Sequence, residues 1–332
     1  MRKILSFVFA LTLLLSFVVH HRVHAASAGA PVVGIAWRPN LKAESFVNTC
    51  RAVEAVGGRW VILPQVRSSD LAYDAKGHLT AGIDKLGALT AESAKLVRCN
   101  SWHGSNAGAA VENVNIVIFP GGEDISPALF YTPEKWHGIP ATIDYSAERD
   151  VSDYLAMSYC LDHDIPFLAI CRGMQMLSVV SGAEMIQDLP AYFAECGIKY
   201  HFDHRNEKTS PDAYRDYSPH DVTVRRDSRL YQLVGTDILH GTPSWHHQAV
   251  RNVDNTRLEV TGYAETNGLH IIEAVERTDK TFAVGVQFHP EAAIAKHIDD
   301  AKNKDDFMDF DTALSMFRKF IEEQADEERT AA

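Results

Sequence analysis

Three short apolar runs restrict what this 332-residue chain can fold into. Asn115-Ile116-Val117-Ile118-Phe119, Pro166-Phe167-Leu168-Ala169-Ile170 and Phe282-Ala283-Val284-Gly285-Val286-Gln287-Phe288 are nearly continuous hydrophobic segments, without the polar alternation of a half-exposed strand. Such runs read as strands buried on both faces. Stretches with helical apolar spacing are predicted at residues 43–56, 146–162, from 171 onward, and 309–323. Further strands are expected at 31–36, 60–63, 221–224 and 268–276, the later ones close enough together for an antiparallel extension. The pattern predicts an α/β chain, a three-layer α/β/α sandwich with a mostly parallel central sheet. Sites in such sheets lie at the carboxyl ends of the strands.

Each apolar run ends in residues suited to chemistry. Cys171-Arg172-Gly173 follows the second run at a strand-to-helix turn, where helix N–H groups and the positive end of the helix dipole favour a thiolate. His289-Pro290-Glu291 follows the third. Read as extended chain, it puts His289 and Glu291 on one side, so the carboxylate can fix the imidazole that takes the thiol proton. Pro120-Gly121-Gly122 follows the first, and glycines there let backbone N–H groups come close to a ligand, although such a pair also occurs in ordinary loops. Gln175 lies one helical turn beyond Cys171, on the same face.

Four segments carry a family resemblance: PGGEDISPALFY at 120–131, RDVSDYLAMSYCLDHDIPFLAICRGMQML at 149–177, SWHHQAV at 244–250 and AVGVQFHPE at 283–291. In this order the chain resembles class I glutamine amidotransferase-like hydrolases, close to the gamma-glutamyl-gamma-aminobutyrate hydrolase group, from about residue 32 to 321. The resemblance implies a flavodoxin-like class I glutamine amidotransferase fold. It also implies Cys171, His289 and Glu291 as nucleophile, base and orienting acid, and an oxyanion hole from a glycine N–H at Gly121 or Gly122 together with the Arg172 N–H. Gln175, Ser244, His246, His247 and Gln248 are implied substrate contacts, although Thr242-Pro243 replaces the family's usual Val-Asn before the serine. The activity implied is hydrolysis of small gamma-glutamyl amides through a glutamyl thioester. The alternatives are a folate polyglutamate gamma-glutamyl hydrolase and a non-catalytic exported binding protein.

The rest of the sequence narrows the setting. Hydrophobic residues make up 46% and charged residues 23%, enough for a sizeable core, and the net charge of −12 gives no basis for a nucleic-acid or anionic-membrane partner. A basic start and an apolar run from Ile4 to Val19 precede Val23-His24-Ala25. Residues 1–25 are therefore predicted as a cleaved secretory signal and 26–332 as a single exported domain, periplasmic or extracellular, with a homodimer as the default assembly. An insertion at about 67–110, containing a helix over 84–98 and a loop at 103–108, is a lid, an interface element or surface decoration. With Cys171 kept as a thiol, Cys50, Cys99, Cys160 and Cys196 could form up to two disulfides, with no pairing dictated. His201, Asp203 and His204, with His246 and His247, include ligand types for zinc or iron. Neither cluster has an established metal-site spacing, so the sequence assigns no metal and no cofactor.

Overall fold

The computed structural model describes residues 31–132, 144–205, 217–300 and 307–331. The predicted signal peptide therefore lies outside the described residues. Strands β1 (Val32–Ile35), β2 (Arg59–Ile62), β3 (Ile116–Phe119), β4 (Phe167–Ile170) and β11 (Ala283–Val286) form a parallel array in the order β2-β1-β3-β4-β11. The three apolar runs supply its central strands, β3, β4 and β11, whose residues are all buried.

Helices cover both faces. On one side α4 (Ala147–Asp162) and α5 (Arg172–Val180) pack with Phe119, Phe167 and Met174. On the other, α1 (Glu44–Ala55), α8 (Pro290–Asp299) and α9 (Phe310–Ala331) enclose Ile35, Ile118, Ile170 and Val286. Gly173 lets α5 lie directly on the sheet, because a Cβ there would strike the Phe119 carbonyl. The result is the expected three-layer α/β/α arrangement, built on a mixed sheet.

The antiparallel extension is larger than the sequence suggested. β10 (Leu269–Arg277) pairs with β11, and the order continues through β9 (Leu258–Thr266) and β6 (Ser218–Val224) to β7 (Ile238–Ser244). A branch formed by β5 (Glu184–Ile186) and β8 (Ala249–Asn252) joins β10. Short helices α6 (Leu189–Glu195) and α7 (Arg229–Val234) lie between these strands in the chain.

The insertion is packed rather than loose. Its helix α2 runs over Ala91–Asn100, later than expected, and α3 (Ala107–Val111) occupies part of the predicted loop. Thr90 accepts from Ser93 N–H and caps α2. Leu79, Leu89, Ala94 and Val97 join the core beside α4. The Leu79 and Leu89 amides donate to Glu148 and Ser126, which ties the insertion to the body of the sheet. All five cysteines are free thiols; Cys50 and Cys160 are buried, and Cys99 and Cys196 are exposed. Among the described residues no helix is long and apolar enough to cross a membrane.

Candidate active site

β3, β4 and β11 are adjacent and parallel, so the segments that follow them emerge side by side at one edge. This brings together Gly121, Cys171 and His289, which are far apart in sequence. Cys171 is the N-cap of α5 with φ +51° and ψ −106°, and is only 5% exposed. A positive φ is unfavourable for a side chain with a Cβ, and such strain persists only where the surroundings enforce it. Here the Cys171 amide is anchored to the Val286 carbonyl at 2.7 Å and its carbonyl accepts the first helical bond from Gln175. The turn puts Cys171 at the head of α5, where the first helical N–H groups have no partner within the helix.

His289 and Glu291 meet by a route different from the extended one expected. His289 is the N-cap of α8, with Pro290 and Glu291 already in its first turn. Glu291 Oε1 lies 2.7 Å from His289 Nδ1, and both residues are fully buried. Nε2 of His289 makes no hydrogen bond. Burial opposes a charge on this ring, but Cys171 and Glu291 outweigh it and raise the His289 pKa to about 10. Tyr217 packs its ring edge-on against the imidazole with centroids 5.3 Å apart.

The glycine turn completes the cluster. A Cβ on Gly121 would fall 2.8 Å from His289 Cε1 and 3.3 Å from Cys171 Cβ, so this position must be bare. The Gly121 carbonyl points into the protein, where Arg38, Ser45 and Arg149 all donate to it. Because the peptide is trans, the Gly122 N–H points the opposite way. Arg149 also donates to the Pro120 carbonyl at 2.7 Å. The turn is thus held from behind, leaving the Gly122 amide and the Arg172 amide as oriented donors.

Those arginines belong to a buried charge cluster that sequence reasoning missed. Arg38 and Arg149 pair with Glu123, Arg149 and Arg172 with Asp153, and Arg172 with Asp150. Burial would raise the Glu123 pKa, but Arg149 and Arg38 hold it far below the usual carboxylate range. Burial lifts Asp150 to about 6 against the pull of Arg172 and Ser126. The Arg172 side chain thus faces this cluster, and only its backbone is available to an oxyanion. The available signal was Arg149, Asp150 and Asp153 inside a helix whose other residues are largely apolar and buried.

The remaining predicted residues form a buried wall with partners inside the protein. Gln175 Nε2 donates to the Gln248 carbonyl and to Gln287 Oε1. Gln248 Oε1 accepts from the Ile125 amide. His247 has a carboxylate at each nitrogen, Asp188 and Asp124, both at 3.0 Å; burial works against its charge, but these hydrogen bonds raise its pKa to about 9. Ser244 donates to the His204 carbonyl, and His246 Nδ1 meets the Gln248 carbonyl. Gln287, for which the sequence suggested no role, places Nε2 3.5 Å from Cys171 Sγ. A glutamine inside the otherwise apolar run 282–288 was the clue.

Geometry and topology place the chain among class I glutamine amidotransferase folds. A candidate GMP synthase protein of Thermoplasma acidophilum superimposes with a TM-score of 0.50 at 12% identity, covering 91% of this chain and 98% of that one. The sequence goes further: the Peptidase C26 family matches residues 92–291, and the chain belongs to that family. NtpR of Enterococcus hirae is 32% identical over 186 residues, 56% of this chain and 70% of NtpR. The gamma-glutamyl-gamma-aminobutyrate hydrolase PuuD of Escherichia coli is 30% identical over 149 residues, 45% of this chain and 54% of PuuD.

Proposed function

We propose that the chain hydrolyses gamma-glutamyl amide bonds in small gamma-glutamyl compounds, with Cys171 as nucleophile. The observation that carries this reading is the buried Cys171 on its strained turn, electrostatically coupled to a His289 that Glu291 orients. Family membership supports a cysteine hydrolase or amidotransferase chemistry. In the proposed reaction the Cys171 thiolate adds to the gamma-carbonyl carbon, and the resulting oxyanion is met by the Gly122 and Arg172 amides. His289 then gives its proton to the departing amine as the C–N bond breaks, leaving a glutamyl thioester. Water, deprotonated by His289, adds to the thioester and expels the thiolate, releasing glutamate. Glu291 keeps Nδ1 protonated throughout. Secretion, with the mature chain starting at Ala26, is part of the same proposal.

The test is glutamate release from gamma-glutamyl-gamma-aminobutyrate, gamma-glutamyl dipeptides and folyl-polyglutamates. Wild type should release glutamate from the small compounds, and Cys171→Ala should lower the rate by about 10³-fold or more. Turnover that survives Cys171→Ala rules out the thiol mechanism. Tight binding of these compounds by wild type without glutamate release would favour a binding protein, and preference for folyl-polyglutamates would move the substrate class.

A further inference from the structure

Behind the His246–His247–Gln248 segment, the antiparallel half of the sheet encloses a second cluster of ionisable side chains. Glu273, on β10, is fully buried. Nδ1 of His204 lies 3.1 Å from its Oε1, and Nε2 of His246 lies 3.4 Å from the same oxygen. Nε2 of His220 stands 3.4 Å from Oε2. All five of these atoms are buried, and they face one another as ion-pair contacts without well-aligned hydrogen bonds. Buried polar atoms ordinarily find hydrogen-bond partners, so five atoms placed in this way need an explanation.

The outer sides of the rings sharpen the problem. His246 Nδ1 lies 2.8 Å from the Gln248 carbonyl and His220 Nδ1 lies 3.1 Å from the Asp203 carbonyl. A carbonyl can only accept, so both Nδ1 atoms carry the hydrogen. In the neutral rings, each Nε2 then turns a lone pair toward the carboxylate. Thr266 Oγ1, a hydroxyl that can donate or accept, lies 2.9 Å from His204 Nε2, and a metal on Nδ1 would place the hydrogen on Nε2. Imidazoles fixed from outside by carbonyls or hydroxyls, with their free nitrogens converging on a carboxylate, are the usual surroundings of a metal ion. The 3.1 and 3.4 Å approaches of His204 and His246 to Glu273 agree with this, since tetrahedral zinc with bonds of about 2.0–2.1 Å holds two ligand atoms roughly 3.3 Å apart.

We propose that His204 Nδ1, His246 Nε2 and Glu273 form a binding site for a divalent transition metal of the zinc class, with His220 packed against the other carboxylate oxygen of Glu273. Ligand atoms of the first three lie within 4.8 Å of one another. Two imidazoles and a carboxylate are ligand types that suit zinc. The metal fastens the segment carrying His247 and Gln248 to the strands behind it, because His246 N–H and Ser244 Oγ both donate to the His204 carbonyl. It is also one residue from the thiol: the Gln287 amide donates to the Glu273 carbonyl at 2.8 Å, while its side chain reaches Cys171.

Metal content tests this independently of turnover. Full-length protein prepared without chelator, stripped with dipicolinate and titrated with Zn²⁺ or Co²⁺, should take up about one equivalent per chain. The Co²⁺ form should show a tetrahedral visible spectrum without a sulfur charge-transfer band, and Zn²⁺ should raise the melting temperature. Glu273→Gln should abolish the bound equivalent. Thr266→Val, which touches only the outer side of His204, should weaken affinity by about 10- to 100-fold in a folded protein. Absence of stoichiometric uptake by wild type, a thiolate spectrum, or equal uptake by wild type and both variants overturns the proposal.

Discussion

Replacing Gly121 by alanine asks whether the glycine turn and the histidine form one rigid unit. The added Cβ would sit 2.8 Å from His289 Cε1. Carbon atoms pack at about 3.5–4.0 Å, so the contact is too short by roughly 0.7 Å or more. Neither side can yield easily. The turn is held by Arg38, Ser45 and Arg149 at the Gly121 carbonyl, and His289 by Glu291 and by its own amide on the Pro243 carbonyl at 2.8 Å. Overpacking of this kind costs about 1–3 kcal/mol of stability. Displacing a reacting group by ~1 Å costs on the order of 10²-fold in rate.

The expected result is therefore a folded Gly121→Ala protein whose kcat for glutamate release falls by about 30- to 100-fold. Alkylation of Cys171, followed by peptide mass spectrometry, should change in parallel, because the disturbed pair is the thiol and its base. Gly268→Ala is the control: it has a positive φ of +83° but would meet nothing within 4 Å. Its cost should be confined to backbone strain of about 1–2 kcal/mol, with turnover intact. A Gly121→Ala enzyme within about threefold of wild-type kcat would refute the reasoning, since a barrier change below 1 kcal/mol is incompatible with the clash.

Three other outcomes follow from the same geometry. Glu291→Gln keeps an acceptor near His289 Nδ1 but removes the charge 2.7 Å away, so the His289 pKa should fall from about 10 and kcat should drop by about 10- to 100-fold, read from a pH–rate profile. Glu123 is held ionised in the fold, so its stabilising contribution is complete above its unfolded pKa of about 4.3 and is lost as pH falls toward its lower folded value. Glu123→Gln should cost about 3–5 kcal/mol at neutral pH and show a shallower acid loss below pH ~4.3 than wild type in denaturant titrations. N-terminal sequencing of the exported protein should find Ala26 as the first residue; an intact Met1 in that fraction would contradict signal cleavage.

The parallel half of the fold was legible because burial on both faces leaves an unmistakable signature. β3, β4 and β11 each appear in the sequence as an apolar run, and each is followed by a residue whose chemistry stands out. The antiparallel half was harder to read. β7 carries Gly241 and Pro243 inside its range, which look like breakers, yet Pro243 pairs with Pro219 on β6 without needing a ladder donor. The helix at Pro290–Asp299 was hidden because proline at its start read as the end of a strand, although proline is favoured in a first helical turn. The charge cluster was illegible for another reason: Arg38, Glu123, Arg149 and Arg172 come from four separate segments, and only folding shows that their charges compensate one another. The same is true of His204, His220, His246 and Glu273.

These buried polar groups explain how a strained thiol turn can be kept in place. A positive φ at Cys171 requires surroundings that do not relax, and an apolar core alone resists displacement without specifying direction. Here direction comes from polar contacts on every side. Val286 holds the Cys171 amide, Gln287 approaches its sulfur, and Gln175 ties Gln287 to the Gln248 carbonyl. Arg38 and Arg149 fix the glycine turn from behind, and their carboxylate partners make that arrangement tolerable in a dry interior. Removing one member would leave an uncompensated buried charge or an unsatisfied amide, and such groups cost more than the bond they lose. The polar residues around the thiol therefore act chiefly as positioning groups.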